Sequence, residues 1–254
     1  MPASRQCVYG WHSVLHFLSR APERVLEIHR QSDRRDARAQ ALDDHIELLG
    51  LHVQTAGRQQ LDRLAGTDGH QGVVAVIRPQ SEMNEDNLSE RISEEGASLF
   101  LLVLDEVQDP HNLGACLRSA DGAGCHGVVV PKRRAAGLTD TVRKVACGAA
   151  EVVPLYRVTN LARALRHLGE AGVLRVATAD AAGPSLFNTA LPRPLALVMG
   201  GEARGVRRLT AESCDVSVSL PMHGAVSSLN VSVATGIALY EAVRQNVVIG
   251  DPPG

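Results

Sequence analysis

A chain of 254 residues has room for one or two domains, and its net charge of −2 neither supports nor excludes an RNA partner. Hydrophobic residues make up 44% of the chain but aromatic residues only 3%, so Val, Leu and Ala dominate, as in buried parallel strands covered by helices. No apolar run approaches the ~20 residues of a membrane span, and the N-terminus lacks the apolar centre of a signal peptide.

Cysteine spacing and local charge add two further expectations. The five cysteines are scattered without a CxxC pair, which favours reduced thiols in a cytoplasmic protein. Residues 81–95 carry six acidic groups against one basic group, whereas residues 1–80 carry nine against ten. This change of composition predicts a domain boundary, with residues 79–97 forming an acidic linker or a weakly packed surface helix.

Helix and strand patterns alternate along residues 1–78. Helical spacing at 10–20, 33–49 and 58–64 is interleaved with short apolar strands at 25–28, 50–53 and 72–77. The pattern predicts a small α/β domain. Six of the ten histidines lie in this domain, but their spacing matches no metal motif, so hydrogen-bonded or surface histidines are expected.

Residues 98–254 repeat the alternation on a larger scale and predict a mostly parallel sheet with helices on both faces. Thr159 is expected to cap one of the helices. The predicted strands are 99–104, 127–130, 151–153, 173–178, 194–199 and 215–220, and the predicted helices are 112–123, 139–147, 159–170, 206–213 and 229–246.

Polar side chains follow three of these strands where each strand ends. The stretches read LLVLDEVQDPHNLGACLR from 101, LALVMGGEARGV from 195 and LPMHGAVSSLN from 220. Ligands of open α/β sheets bind at the carboxyl ends of the strands, so the three stretches predict one shared site. Its candidate polar residues are Asn112, Arg118, Glu202, Ser228 and Asn230.

Two other patterns have simpler explanations. Residues 122–127 match G-x-G-x-x-G, but they follow a helix and open a strand, the reverse of the dinucleotide-binding order. Asp105, Asp109 and His111 could be imagined as metal ligands. Asp109 and Pro110 are more simply explained as a turn before a helix capped by Asn112, and no metal is expected.

The three stretches resemble, in order, the three motifs of the SpoU group of SPOUT RNA methyltransferases. The matching segments are DPHNLGACLRSAD, KVACGAAE, LALVMG with Glu202, and AVSSLNVSVATGI, and the resemblance covers residues 99–245. The resemblance implies a trefoil-knotted catalytic domain that acts as a homodimer with S-adenosyl-L-methionine. It implies a cofactor site formed by Thr178, Met199, Gly200, Leu220, Met222 and Leu229.

The resemblance also implies roles for the polar residues. Arg118 would position the substrate and stabilise a developing alkoxide, because a guanidinium essentially never loses its proton. Glu202 would orient Asn112 or Arg118, and Asn230 would hold the ribose or a loop. The proton could leave to Glu202, water or a substrate phosphate. Candidate contacts to the RNA backbone, each equally well explained as surface charge, are Lys132, Arg133, Arg134, Arg143, Lys144, Arg207 and Arg208.

The N-terminal residues extend the resemblance to the substrate. His70-Gln71-Gly72 matches a turn of related enzymes whose first domain is L30e-like and binds RNA. The implied activity is 2′-O-methylation of a guanosine in the peptidyl-transferase P loop of 23S rRNA or its precursor. Two alternatives remain open at this stage: the same chemistry on another rRNA site or a tRNA, and a catalytically silent RNA-binding assembly factor on the same fold.

Overall fold

The computed structural model of the protein describes residues 5–31, 37–178, 183–201 and 205–246. The chain divides into two compact units, Met1–Gln80 and Ser81–Gly254. None of the described helices has the length and apolar character that crossing a membrane requires. Each of the five cysteines is a free thiol.

The first unit is a four-stranded mixed sheet with three helices. Its central strand β4 runs antiparallel to β1 and β2, and β3 pairs parallel with β2, in the order β1-β4-β2-β3. All five residues of β4 are buried, as expected of the strand between two neighbours. The elements are β1 Gln6–Tyr9, α1 Trp11–Arg20, β2 Val25–Arg30, α2 Ala37–Leu48, β3 Val53–Thr55, α3 Arg58–Ala65 and β4 Val73–Ile77.

Two features of this unit bear on the sequence predictions. Strand β1 was missed, because its four residues carry too short an apolar pattern to separate from the helix that follows. His70 is buried, and its Nδ1 accepts the Gly72 N–H at 2.9 Å while Nε2 lies 3.0 Å from Asp62 Oδ1. This histidine supports the turn before β4, in agreement with the expected hydrogen-bonded role.

The second unit is a six-stranded parallel sheet in the order β10-β8-β9-β5-β6-β7. Helices cover both faces, so the predicted α/β class is confirmed. The elements are α4 Glu85–Glu95, β5 Phe100–Asp105, α5 Pro110–Gly122, β6 Gly127–Pro131, α6 Asp140–Ala146, β7 Leu155–Val158, α7 Leu161–Glu170, β8 Leu174–Thr178, β9 Leu195–Gly200, α8 Arg208–Ala211, β10 Val216–Val218 and α9 Val231–Asn246.

Strand β5 shows how the core is divided. Phe100, Leu102 and Leu104 join the buried cluster that includes residues of α5, α6 and α9. Leu101 and Val103 join the cluster that includes residues of α4 and α7. Alternate residues of a strand point to opposite faces, so a strand buried on both faces reads as one continuous apolar run.

The segment 79–97 is not extended chain, because it contains helix α4. Asn84 and Asn87 form a reciprocal capping box at its start, and Leu88 and Ile92 are buried in the core of the second unit. Its Glu85 forms an ion pair with Arg163 of α7 at 2.7 Å. Of the two alternatives left open by the sequence, the structure shows the helix, and two of its side chains belong to the core.

The predicted strand at 151–153 is wrong. Residues 149–151 form a short 3-10 turn, and Glu151 is buried in an ion pair with Arg143. The strand begins after Pro154, at Leu155, where it pairs with Val128 of β6. The strand therefore begins later than predicted, after the buried Glu151 ion pair and Pro154. The apolar pattern of the sequence shows neither the ion pair nor its effect on the strand start.

Two predicted helix caps are also wrong. Helix α7 is capped by Asn160, which accepts the Arg163 N–H at 3.0 Å, and not by Thr159. Helix α5 begins at Pro110 and is capped by Asp109, which accepts the His111 N–H at 2.9 Å. Asn112 therefore lies within the first turn of α5 and does not cap it.

Candidate active site

The carboxyl ends of β5, β8, β9 and β10 lie at one edge of the parallel sheet and bring together distant parts of the chain. Asp105 at the end of β5 pairs with Gly200 at the end of β9. Thr178 at the end of β8 donates from Oγ1 to Val198 O at 3.2 Å and lies 3.6 Å from Met199 Sδ. Three of the six predicted cofactor residues, Thr178, Met199 and Gly200, are therefore neighbours.

Gly200 stands where two backbone segments touch. A Cβ atom at this position would collide with the backbone of Gly205 and Val206. A Cβ at Gly201 would meet the carbonyl of Glu106. Both glycines are thus required by close backbone approach, which is also the property that lets a flat ligand lie against main-chain atoms.

The remaining predicted cofactor residues lie on the segment between β10 and α9. Leu220 and Met222 are partly exposed, and Leu229 is 37% exposed. Ser228 is exposed, and no side-chain hydrogen bond of it is found among the described residues. Glu202 lies outside the described residues. The segment therefore offers apolar surface next to a polar helix start.

Asn112 and Asn230 form the strongest link between distant motifs. The Asn230 Nδ2 group donates to Asn112 Oδ1 at 3.0 Å across 118 positions of sequence. Asn230 Oδ1 also accepts the Ser232 N–H at 2.8 Å and the Ser232 hydroxyl at 2.6 Å. The amide pair ties the first turn of α5 to the first turn of α9, where free N–H groups and the helix dipoles favour electron-rich ligands.

Arg118 is exposed on α5 and faces a different neighbour. Its Nη1 donates to Cys147 Sγ at 3.5 Å, and Cys147 is the residue after α6, in the left-handed region with φ of 52°. Within the described ranges, no hydrogen bond joins Arg118 to Asn112 or Asn230. Among the described residues, the Arg118 guanidinium thus has one weak hydrogen bond, from a terminal nitrogen, and its side chain is exposed.

Asp105 and Arg207 form a buried network that sequence reasoning missed. The Asp105 side chain is completely buried, and Arg207 donates to it from the backbone N–H at 3.0 Å and from Nε at 2.8 Å. Arg207 also lies 3.3 Å from Glu106, which lies 3.2 Å from Arg134. The hydrogen bond with Asp105 raises the pKa of Arg207 above its ordinary value. The available signal was a carboxylate ending an apolar strand.

A comparison with protein families shows which family this chain belongs to. Residues 99–240 match the model of the SpoU rRNA Methylase family. The chain belongs to this family. Residues 7–83 match the model described as RNA 2′-O ribose methyltransferase substrate binding. The second match covers nearly all of the first compact unit, and the first match covers residues 99–240 of the second unit, which is Ser81–Gly254.

Curated relatives of this SpoU chain are similar along nearly their whole length. The 23S rRNA (guanosine-2′-O-)-methyltransferase RlmB of Pasteurella multocida is 52% identical over 241 residues, covering 94% of this chain and 98% of the relative. RlmB of Escherichia coli K12 is 52% identical over 243 residues, with the same coverage. Among solved structures, the SpoU methyltransferase AviRb from Streptomyces viridochromogenes in complex with AdoMet is similar in fold, with a TM-score of 0.70, 24% identity, and coverage of 96% of this chain and 91% of AviRb.

The seven basic residues considered for RNA contact in this SpoU chain differ in whether they form ion pairs with acidic side chains. Four of them have acidic partners: Arg134 with Glu106, Arg143 with Glu151, Arg207 with Asp105, and Arg208 with Glu212. The other three are exposed, and no ion pair is found for their side chains within the described part of the chain: Lys132, Arg133 and Lys144. No group of three or more His, Cys, Asp or Glu side chains among the described residues is arranged to hold a metal ion.

Proposed function

We propose that the protein uses S-adenosyl-L-methionine to methylate the 2′-oxygen of a guanosine ribose in the peptidyl-transferase P loop of 23S rRNA. The observation that carries the proposal is 52% identity, over 94% of the chain, to RlmB enzymes that are named for 2′-O-methylation of guanosine in 23S rRNA. Such a substrate places the reaction in the cytoplasm, which agrees with five cysteines that form no disulfide.

The residues at the sheet edge fit the cofactor. The Gly200 backbone packs directly against Gly205 and Val206, and Thr178 and Met199 lie at the ends of the neighbouring strands. Leu220, Met222 and Leu229 offer partly exposed apolar surface of the kind that receives an adenine ring. When bound, S-adenosylmethionine supplies an electrophilic methyl group on a sulfonium.

The polar residues then have mainly geometric work, because an in-line displacement depends on alignment and on a stabilised nucleophile. Asn112 and Asn230 fix the two helix starts against each other and can present an amide to the ribose. We assign Arg118 to the substrate, where its open donors can hold a phosphate and stabilise negative charge on the 2′-oxygen. We also assign to the site Ser228 and Glu202, of which Glu202 lies outside the described residues and is one of the proton acceptors considered.

Methyl transfer to a synthetic hairpin with the P-loop sequence of 23S rRNA tests this function. Tritium from labelled S-adenosylmethionine should enter the hairpin, and it should not enter a matched hairpin whose target guanosine is replaced by 2′-deoxyguanosine. Label in the deoxy hairpin would place the methyl on a base or on another ribose and contradict the assigned target. Label in tRNA but not in the P-loop hairpin would replace the substrate while keeping the chemistry.

We further propose that the first unit supplies RNA affinity. Its match to a substrate-binding model supports this assignment. A chain beginning at Ser81 retains α4, whose Leu88 and Ile92 are buried in the second unit, so it keeps that core intact. This shortened chain should bind S-adenosylmethionine as the whole protein does and lose affinity for rRNA fragments. Equal RNA affinity of the two chains would contradict the assignment.

We also propose a homodimer formed through α9. Val233 and Tyr240 are 52% and 53% exposed and lie with the partly buried Ile237 along one stripe of the helix. A self-complementary interface repeats each substitution twice, so Val233→Glu should give a monomer in light scattering. Leu209→Glu, which places the same charge at an exposed apolar residue outside α9, is the control and should leave the dimer intact. A monomeric and fully active wild-type chain would contradict the proposal.

The trefoil knot remains a proposal as well. Its support is the match to the SpoU rRNA Methylase family together with one long-range backbone contact, because a Cβ at Gly183 would collide with the backbone of Ser217. This contact brings the segment after β8 against backbone further along the chain.

A further inference from the structure

We propose that Asp105 and Arg207 are positioning residues, which hold the backbone of Gly200, Gly201 and Gly205 in the shape that binds S-adenosylmethionine. The inference rests on the proposed function, because it takes these glycines as part of the cofactor site. Neither residue needs to touch the cofactor or the RNA for this role.

Asp105 contacts the segments on both sides of the loop that follows β9. Its carbonyl oxygen accepts the Gly201 N–H at 2.8 Å, on the side where β9 ends. Its carboxylate accepts the Arg207 N–H at 3.0 Å and the Arg207 Nε–H at 2.8 Å, on the side where the chain returns. One buried residue therefore fixes the entry and the exit of this loop.

The glycines between these contacts have little freedom. The Gly205 N–H donates to Gly201 O at 3.0 Å, and the Gly200 backbone lies directly against Gly205 and Val206. Because the Gly200 backbone is packed against other backbone on one side, the surface that it presents on its other side has a fixed shape. If Arg207 moves, the Gly205 segment loses its anchor, and the surface beside Gly200 changes with it.

The burial and charge of the pair suit a fixed position. The Asp105 side chain is fully buried, while Arg207 is 40% exposed and reaches it from the surface at 2.6 Å. Low polarity around Asp105 strengthens the attraction, and a planar guanidinium that donates twice fixes direction as well as distance. A contact of this kind holds a loop more narrowly than apolar packing does.

The chain contains a matched pair that serves as a control. Arg175 donates to Asp215 from the backbone N–H at 2.8 Å, from Nε at 3.0 Å and from Nη2 at 2.5 Å. This pair joins the start of β8 to the residue before β10, at the amino ends of the strands. Its hydrogen-bonding groups are the same, but it lies away from the glycines, and here the carboxylate of Asp215 is 39% exposed while Arg175 is the more buried partner.

The experiment measures the affinity for S-adenosylmethionine by calorimetry in the full-length protein. Variants Asp105→Asn, Arg207→Gln and their double combination are compared with Arg175→Gln, and thermal unfolding is followed in all of them. The double variant removes both charges together, so no unpaired charge is left buried. Leu229→Ala reports on the proposed cofactor site itself.

The expected result is a loss of cofactor affinity of about tenfold, or about 1.4 kcal/mol, in Asp105→Asn and in Arg207→Gln. The double variant should lose no more cofactor affinity than the single variant with the smaller loss, because each residue acts through the other. Arg175→Gln should lower the melting temperature and leave the cofactor affinity unchanged.

Two results would overturn the inference, and they differ from failure of the proposed site. Unchanged affinity in both single variants, with a loss in Leu229→Ala, would refute the positioning role and keep the site. Equal losses in Arg207→Gln and Arg175→Gln would reduce the pair to general stability. Unchanged affinity in every variant, including Leu229→Ala, would reject the proposed cofactor site together with this inference.

Discussion

Replacing Arg118 by alanine should separate catalysis from stability. The side chain is exposed, and its hydrogen bond within the described residues is a single weak one to Cys147 Sγ at 3.5 Å. Loss of an exposed side chain of this kind changes the free energy of unfolding by about 0.5 kcal/mol or less. Loss of a donor that stabilises developing oxyanion charge typically lowers the rate by about 10²- to 10³-fold, or about 2.7–4 kcal/mol. The two effects therefore differ by several-fold in free energy.

Methyl transfer at saturating RNA and cofactor is the assay, with urea unfolding in parallel. Arg118→Ala should keep its unfolding midpoint and its cofactor affinity while the turnover rate falls. Arg118→Lys should recover little of that rate, because a point charge replaces a planar fork. Arg166→Ala, which changes an exposed arginine of α7, is the control and should keep full activity. Full activity of Arg118→Ala under these conditions would refute the role assigned to this arginine.

Three further results are expected. Asn230→Ala should lose about 1 kcal/mol of stability and most of the methyl transfer. The control Asn160→Ala, which removes the cap of α7, should lose similar stability and keep its activity. Equal methyl transfer in the two variants would contradict the assignment of Asn230 to the site. The hydrogen bond from Arg244 lowers the pKa of Glu241 to about 2, so the free energy of unfolding should fall as the pH drops from about 4.5 towards 2, and Glu241→Gln should make that fall shallower in acid titrations. Leu88→Ala should cost about 2–5 kcal/mol in urea unfolding, and no loss would mean that α4 is not part of the core.

Much of the second unit could be predicted from sequence because its strands are buried on both faces. Residues 100–104 and 195–199 are continuously apolar, and the apolar runs stop where each strand ends. The carboxyl ends of parallel strands share one edge, so the pattern also predicts that distant motifs meet. The Asn112–Asn230 hydrogen bond confirms that two of them do.

The remaining details depend on pairings between residues far apart, which periodicity does not record. The sequence around Glu151 predicts a strand, and only the structure shows that its carboxylate pairs with Arg143. Arg207 looks like a surface cation for RNA, yet it is bound to a carboxylate 102 positions earlier. Asp105 was considered only as a metal ligand, because a lone acid at a strand end gives no indication of its partner. Buried charged side chains need partners, and those partners are set by the tertiary structure.

The most direct test of the central claim is a map of 2′-O-methyl groups on 23S rRNA from cells with and without the gene. The account predicts that one guanosine in the peptidyl-transferase P loop loses its 2′-O-methyl group without the gene, and that a copy encoding the wild-type chain restores it while a copy encoding Arg118→Ala does not. An unchanged P loop, with a methyl group lost from a tRNA or from another rRNA position, would contradict the assigned substrate. An unchanged methylation map in all RNAs would contradict the assigned activity.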